Sequence, residues 1–325
     1  MASSREAKPI SLRETGESAA LPRFSLRGRL LAPRVRRRLT PYVFLAPGFL
    51  VFATFTLYPL LKALQISFYH WQLMPGRVSQ FVGLANYGAV FHDPITWIAL
   101  RNTVIYAVGT VPTQMALGLV VAIWLDSIVR LRVVFRTLYY LPVITSWVVV
   151  SILFKYVFSS DAGLANYLLH DVLHVLPTYV GWLQNVPTAM FAIGVLGVWK
   201  GVGWSMLIFL AALQSIPREM REAAAIDGAG TIRSYRSVIL PLMAPVMLFV
   251  LVLLVIGSFN VFISVYLMTA GGPLHQTEVV LTYMYHQAFD FLDFGYGAAL
   301  SYLLAALIFL LSLAQIRFLR REVQY

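Results

Sequence analysis

The sequence predicts an all-α integral membrane protein with six transmembrane helices and with both its N-terminus and its C-terminus in the cytoplasm. Three observations lead there. Of the 325 residues, 59% are hydrophobic and only 12% are charged, well below the roughly one-quarter charged residues of soluble domains. Six apolar runs, at 42–66, 103–125, 135–157, 189–213, 243–267 and 297–316, each come near the roughly 20 residues a spanning helix needs. The basic residues fall on alternate connections: ten lie in residues 1–40, three at 126–136, four at 214–237 and three at the C-terminus. The other connections, 70–100, 158–188 and 268–296, hold Arg77 as their one such residue, among Asp93, Asp161, Asp171, Glu278, Asp290 and Asp293. Positive charge stays inside, and this bias sets the orientation.

Residues 1–40 form a basic cytoplasmic segment carrying Arg23, Arg27, Arg29, Arg34, Arg36, Arg37 and Arg38. Its first half is expected to be disordered and its second half to lie against anionic lipid. The apolar run that follows exceeds the about 7–15 residues of a secretory core and lacks a small-residue cleavage site, so it reads as the first span. Residues 41–320 form one six-helix domain, with a short cytoplasmic tail at 321–325. The second to fourth runs contain Thr113, Gln114, Thr145, Ser146, Lys200 and Ser205. These spans cannot all face lipid, and a bundle around a polar path is expected.

The loop between the fourth and fifth runs, within 215–241, is the most informative stretch. Pro217 suits a first helical turn, and Arg218 to Ile226 then reads as a short helix with Arg218 four residues ahead of Glu222. Ala223, Ala224 and Ala225 favour helix and leave little bulk, so another protein's backbone could come close. Gly228 is the natural stop, because it tolerates the left-handed conformation. A second helix is expected from Thr231 to Leu240, with Pro241 marking the turn into the fifth span.

Several chemistries are excluded. The chain has no cysteine, hence no disulfide, thiol nucleophile or cysteine metal site. It has no G-x-x-x-x-G-K-[ST] loop to cradle a nucleotide phosphate. His170 and His174 have i,i+4 spacing but no HExxH accompanies them, and solvated loop residues are the favoured reading over a metal site. The acids lie in connections rather than within spans, so the chain is not expected to be an enzyme. Basic residues flank apolar runs instead of forming a nucleic-acid patch; their partner is membrane lipid.

Glu222-Ala223-Ala224, Asp227-Gly228-Ala229 and Leu240-Pro241, preceded by Gln214-Ser215-Ile216-Pro217, resemble the signature of permease subunits of binding-protein-dependent ATP-binding-cassette importers. Val82–Tyr87, Phe135-Arg136-Thr137 with Leu141-Pro142, Val198–Trp204 and Gly271-Gly272-Pro273 are similar to the carbohydrate-uptake branch, of maltose and glycerol-3-phosphate type. The resemblance covers the chain from about residue 42 onward. Tyr235, Ser237 and Val238 stand where the family usually has an aromatic residue, a lysine and an isoleucine, which bears only on fit to a partner. The resemblance implies a type I importer permease in a bacterial cytoplasmic membrane, without the additional N-terminal helices and large outer domain of some maltose-type members. It implies a second homologous permease subunit, two ATPase subunits that carry ATP and Mg, and an extracytoplasmic solute-binding protein received by outer loops including Gly271–Tyr296. The Glu222 loop would be the coupling helix that docks into the ATPase.

For the solute path, the candidates are Lys200, Trp204 and Ser205, set with Trp199 among Gly194, Gly197, Gly201 and Gly203, and then Ser258 and Asn260 in the fifth run. The glycines make room, the tryptophans stack on sugar faces, and the polar groups bond hydroxyls. By resemblance, Gly197, Lys200, Gly201, Trp204 and Ser258 match positions near a mid-membrane sugar site. Ordinary helix packing is the competing reading for the small residues, and interfacial anchoring for tryptophan. Lys200 needs a partner or a watery path: a substrate phosphate or hydroxyl, or a carboxylate of the sister subunit. Glycerol-3-phosphate or a related polyol phosphate is the alternative cargo. A stand-alone secondary transporter would instead call for internal repeats, paired broken helices and membrane-embedded acids.

Overall fold

The computed structural model describes residues 33–72, 78–127 and 131–319. The disorder expected in the first part of the chain, the tail at 321–325, and Arg77, Arg130, Arg320 and Arg321 lie outside the described residues. The chain divides into two units, Met1–Tyr58 and Pro59–Tyr325. The first unit contains helix α1 (Pro33–Phe52) and a π turn at Ala53–Leu57. It begins on a proline, whose missing N–H is harmless in a first turn. From Thr40 onward most of its side chains are exposed, Tyr42, Phe44 and Phe55 each by 70% or more.

The second unit begins at Pro59, within α2 (Tyr58–Ser67), and continues into a small antiparallel pair, β1 (Tyr69–His70) with β2 (Gln80–Phe81). The Val82–Tyr87 motif does its work here. Gly83 takes a left-handed φ of +59°, and Asn86 Nδ2 donates to the carbonyls of Ser67 (2.8 Å) and Tyr69 (3.1 Å). Helices α3 (Ala85–His92) and α4 (Pro94–Ser127) follow, then α5 (Arg132–Ile144) and α6 (Trp147–Val157). Next come the short α7 (Leu164–Asn166) with a π turn at Tyr167–Val172, the long α8 (Val186–Ser215), and α9 (Arg218–Ile226). The rest comprises α10 (Thr231–Ser234), α11 (Leu240–Phe259), α12 (Ile263–Met268), α13 (Val280–Tyr285) and α14 (Phe294–Leu319).

Among the described residues, five helical stretches are long and apolar enough to cross a membrane: Thr40–Ser67, Pro94–Ser127, Val186–Ser215, Thr231–Met268 and Phe294–Leu319. The pair α5 and α6 makes a sixth if counted as one span, but it bends by 93° at Thr145–Ser146. The sequence predicts an unbroken run over 135–157. Helix α5 continues past Pro142 to Ile144 and stops at Thr145, whose backbone is extended, and the carbonyls left open at this end are bonded from another helix, described below. A second departure concerns Pro241. Helix runs from Thr231 through the π turn and on to Phe259 without a break, so Pro241 does not mark a turn. A π turn at Tyr235–Ile239 directly ahead of it widens the backbone where the proline ring would otherwise clash.

Helix α8 is the centre of this unit, packed against α4, α5 and α11. Gly118 of α4 faces Ser205 of α8 so closely that an added β-carbon would lie 2.7 Å from the serine Cβ, a small-on-small approach typical of membrane helices. The Gly271-Gly272-Pro273 motif has a packing role too. Gly271, at φ +77°, lies where any side chain would collide with the fully buried Glu278 carboxylate. Thr282 Oγ donates to that carboxylate, and His275 Nδ1 lies 3.1 Å from it. In the connection before α8, His170 pairs with Asp171 at 2.7 Å, and Tyr179 donates to the same carboxylate.

Asp93 ties three elements together. Its carboxylate accepts the Ile95 N–H at 2.9 Å at the start of α4, the Tyr296 hydroxyl of α14 at 2.6 Å, and the Tyr283 hydroxyl of α13. Burial by itself raises the carboxyl's pKa, but the hydroxyls of Tyr283 and Tyr296, the Ile95 N–H and the Thr96 hydroxyl outweigh it and hold the value below the ordinary aspartate range. A depressed folded-state value means that the stabilisation is complete above the unfolded value, about pH 4. It drains away as pH falls through the folded value. Asp93→Asn is therefore expected to lower the thermal unfolding temperature at neutral pH. The gap to wild type should close on acidification below about pH 4. A gap independent of pH would remove the carboxylate from this role.

Candidate functional site

A cavity of about 350 Å³ lies at the middle of α8. α4 contributes Tyr106, Thr110 and Gln114, and α8 contributes Gly197, Lys200, Gly201 and Trp204. The break between α5 and α6 contributes Val143 and Trp147, and α11 contributes Leu253, Leu254, Gly257 and Ser258. The two glycines of α8 are spaced to receive the two large polar groups of α4. A β-carbon at Gly197 would collide with the Tyr106 hydroxyl, and one at Gly201 would stand 2.6 Å from Gln114 Cδ. Tyr106, Thr110 and Gln114 are buried against α8, and the Thr110 hydroxyl donates to the Tyr106 carbonyl at 2.7 Å.

Lys200 is 3% exposed. Its ammonium donates to three backbone carbonyls at the α5–α6 break: Pro142 at 2.8 Å, Val143 at 3.3 Å and Thr145 at 2.6 Å. It also sits 4.9 Å from the centre of the Trp147 ring, within cation–π range. Helix ends leave carbonyls without intrahelical partners, and here a lysine from the neighbouring helix satisfies them. Its three N–H donors are all committed within the chain.

Of the other path candidates, Gly197, Gly201, Trp204 and Ser258 line the cavity with Lys200. Ser205 is fully buried against Gly118, and its hydroxyl has no partner. Asn260 is exposed at the end of α11, where its amide donates to the Ile256 carbonyl at 2.7 Å. Tyr106, Thr110 and Trp147 were not singled out from sequence. Tyr106 and Thr110 stand one turn or so apart on the α4 face that includes Gln114, a period-four signal that was available. Trp147 had none, because its position depends on the break.

A larger hollow of about 1140 Å³ lies between α4, α5 and α8, lined mostly by apolar groups such as Leu117, Phe135, Phe191 and Val198. The smaller cavity, with its convergent polar groups, has the chemistry of a recognition site. Gly203 marks the α5 contact: a β-carbon there would meet the Tyr139 backbone, 2.9 Å from its carbonyl carbon. Gly203→Ala is expected to destabilise the detergent-solubilised protein by about 1–3 kcal/mol, since backbone must move. Gly201→Ala should cost less, because only the end of a flexible glutamine has to swing away. Comparison of their thermal unfolding checks this, and equal losses would refute it.

The second candidate region is α9. Its C-terminus is a complete Schellman motif: Gly228, at φ +76°, donates to the Ala225 carbonyl at 3.0 Å, and Ala229 donates to the Ala224 carbonyl at 2.9 Å. The Asp227-Gly228-Ala229 signature is thus the helix's stop. Ala224 is the helix's one buried residue. Glu222, Ala223 and Ile226 are exposed, with Met220 at 42% and Ile226 at 86%. Arg221 forms the ion pair of this helix, with Asp126 of α4 at 2.9 Å. Leu240 and Pro241 open α11, following the buried Ile239.

A family profile described as binding-protein-dependent transport system inner membrane component matches residues 114–323. Arabinooligosaccharides transport system permease protein AraP of Bacillus subtilis is 35% identical over 284 residues, 86% of this chain and 88% of that one. Lactose transport system permease protein LacF of Rhizobium radiobacter is 35% identical over 84% of this chain and 92% of its own. sn-Glycerol-3-phosphate transport system permease protein UgpA of Salmonella typhimurium is 35% identical over 90% and 98%. Among solved structures, a chain of a bacterial ABC transporter involved in import of the acidic polysaccharide alginate superposes with a TM-score of 0.77 at 21% identity. It covers 90% of this chain and 98% of that one, a likeness of fold.

Proposed function

The chain belongs to the family of binding-protein-dependent transport system inner membrane components, and from that premise we propose that it is one permease subunit of an ATP-driven saccharide importer. The observation that carries the reading is α9, a short helix closed by its own cap that turns Glu222, Ala223, Met220 and Ile226 outward. Exposed apolar residues beside a charge, on so small a helix, suit a partner's groove. In this reading α9, from Glu222 to Ala224 and through Asp227, Gly228 and Ala229, docks on an ATPase subunit. Leu240 and Pro241 start the span that carries its motion. Two ATPase subunits hold ATP and Mg, a second homologous permease completes the pore, and an extracytoplasmic solute-binding protein delivers cargo.

In this reading α5 and α6 count as one span, six crossings leave both termini on the same side as α9, and the basic residues of alternate connections favour the cytoplasm for that side. Residues 41–320 then form the membrane domain. The path runs past Gly197, Lys200, Gly201, Trp204 and Ser258, with Ser205 packed behind it and Asn260 at the end of α11. Trp147, Trp204 and Tyr106 offer aromatic rings, and Gln114 offers an amide group, a combination suited to sugar rings. AraP and LacF carry saccharides by their names, which supports the same class here. UgpA keeps a glycerol phosphate in play. Against it, the cation of this cavity already has its protons bonded to carbonyls.

The test is purification of the tagged chain from its native membrane in mild detergent, with the mass of every co-eluting chain determined. Two ATPase copies and a second permease are expected. A lone monomer or homodimer that still transports would overturn the importer reading in favour of a secondary transporter.

A further inference from the structure

Arg221 is the residue of α9 that grips the rest of the chain. Its guanidinium forks: Nη1 donates to Asp126 Oδ2 at 2.9 Å and Nη2 donates to the Leu213 carbonyl at 2.7 Å. Asp126 lies in the last turn of α4 and Leu213 in the last turn of α8. A cation at two helix C-termini is favourable in itself, and the two-armed geometry fixes direction as well as distance. The α4 end is further held by Arg132, whose Nε donates to the Leu125 carbonyl at 3.0 Å and Nη2 to the Asp126 carbonyl at 2.8 Å. The Asp126 side chain is only 11% exposed, so solvent screens the pair less than a surface pair.

The two helices that Arg221 joins are the two that interlock at the cavity. Gly118 on Ser205, and Gly201 on Gln114, hold α4 and α8 in van der Waals contact along their length. A packed pair of this kind moves as a body instead of bending locally. Besides Arg221, α9 buries Ala224 and packs against α10 and the π turn at Tyr235–Ile239, which leads into α11. We propose that Arg221 is the joint that passes displacement of α9 into the α4–α8 pair, a positioning residue that touches neither cargo nor ATPase. The proposal rests on the coupling role of α9 given above.

The experiment uses the whole reconstituted complex with its ATPase and binding protein, and reads saccharide moved per ATP hydrolysed. Arg221→Ala leaves the outward face of α9 unchanged, so the ATPase still co-purifies, while yield per ATP falls roughly tenfold or more, because both charge-assisted bonds go. Arg221→Lys reaches Asp126 or Leu213 but not both, and gives a smaller fall at unchanged thermal stability. Arg221→Ala combined with Asp126→Ala is no worse than Arg221→Ala alone, because the pair acts as one unit. Full yield per ATP from Arg221→Lys, or additive losses in the double variant, overturns the joint. If Arg221→Ala fails to assemble, Arg221→Lys and Asp126→Asn, which keep a hydrogen-bonding side chain, decide by the same readout. A Glu222→Lys complex that transports normally would sink the coupling reading itself. A dead Glu222→Lys beside a wild-type Arg221→Lys sinks only the joint.

Discussion

Glu222→Lys is expected to reach the membrane in wild-type amount and to import nothing. Glu222 is exposed in the middle of α9, and the ion pair that anchors this helix belongs to Arg221. Reversing an exposed surface charge changes folding stability by about 0.5 kcal/mol or less. The new lysine four residues after Arg218 adds a like-charge cost of only a few tenths of a kcal/mol. In a docked and desolvated contact the balance is different. A charge that meets its opposite in the groove of a partner costs about 2–5 kcal/mol when its mate is left unpaired, and reversal is worse than removal. At 5 kcal/mol, affinity for the ATPase falls more than about 1,000-fold. The measurements are uptake in whole cells and the amount of ATPase retained on the tagged permease; both are expected to vanish together. Normal uptake by this variant would take the coupling role away from α9.

The parts of this molecule that were legible in the sequence are those set by short-range rules. Hydropathy located the spanning runs because bilayer thickness imposes a length. The Gly228 stop was legible because a Schellman turn depends on one backbone conformation that glycine adopts freely, and the structure has it at +76°. The break in the third run was not legible. The helix stops three residues past Pro142, at Thr145, and the carbonyls opened there are bonded by a neighbour, Lys200, 55 to 58 residues away in the chain. Pro241 misled in the opposite direction. A proline after a polar loop reads as a helix boundary, yet the π turn at Tyr235–Ile239 carries the helix through it. At the cavity, the glycines of α8 were visible as room without an occupant. The occupants, Tyr106 and Gln114, sit on α4 more than 80 residues earlier, and no local pattern reports that pairing.

Lys200→Met decides what a buried ammonium in the middle of a membrane bundle is for. Methionine keeps the length and fills most of the space, so the change isolates the three donated hydrogen bonds and the contact with Trp147. The Pro142 carbonyl keeps another partner, since it also accepts the Thr145 hydroxyl at 2.6 Å. The Val143 and Thr145 carbonyls lose the lysine proton, and each buried carbonyl left without a donor costs about 1–3 kcal/mol. The expected result is a loss of about 2–6 kcal/mol, enough to lower the membrane level sharply and to cut the thermal stability of the solubilised protein. Lys200→Arg keeps the charge, but a planar guanidinium cannot converge three protons on these carbonyls, so it should fall between. An ammonium kept for cargo behaves otherwise. Lys200→Met would then fold and assemble with its ATPase as wild type does, and only the concentration of solute needed for half-maximal uptake would rise. Stability and uptake measured on the same preparation separate the two. A fully stable Lys200→Met with weakened uptake would hand the lysine back to the cargo and reopen the case for an anionic solute.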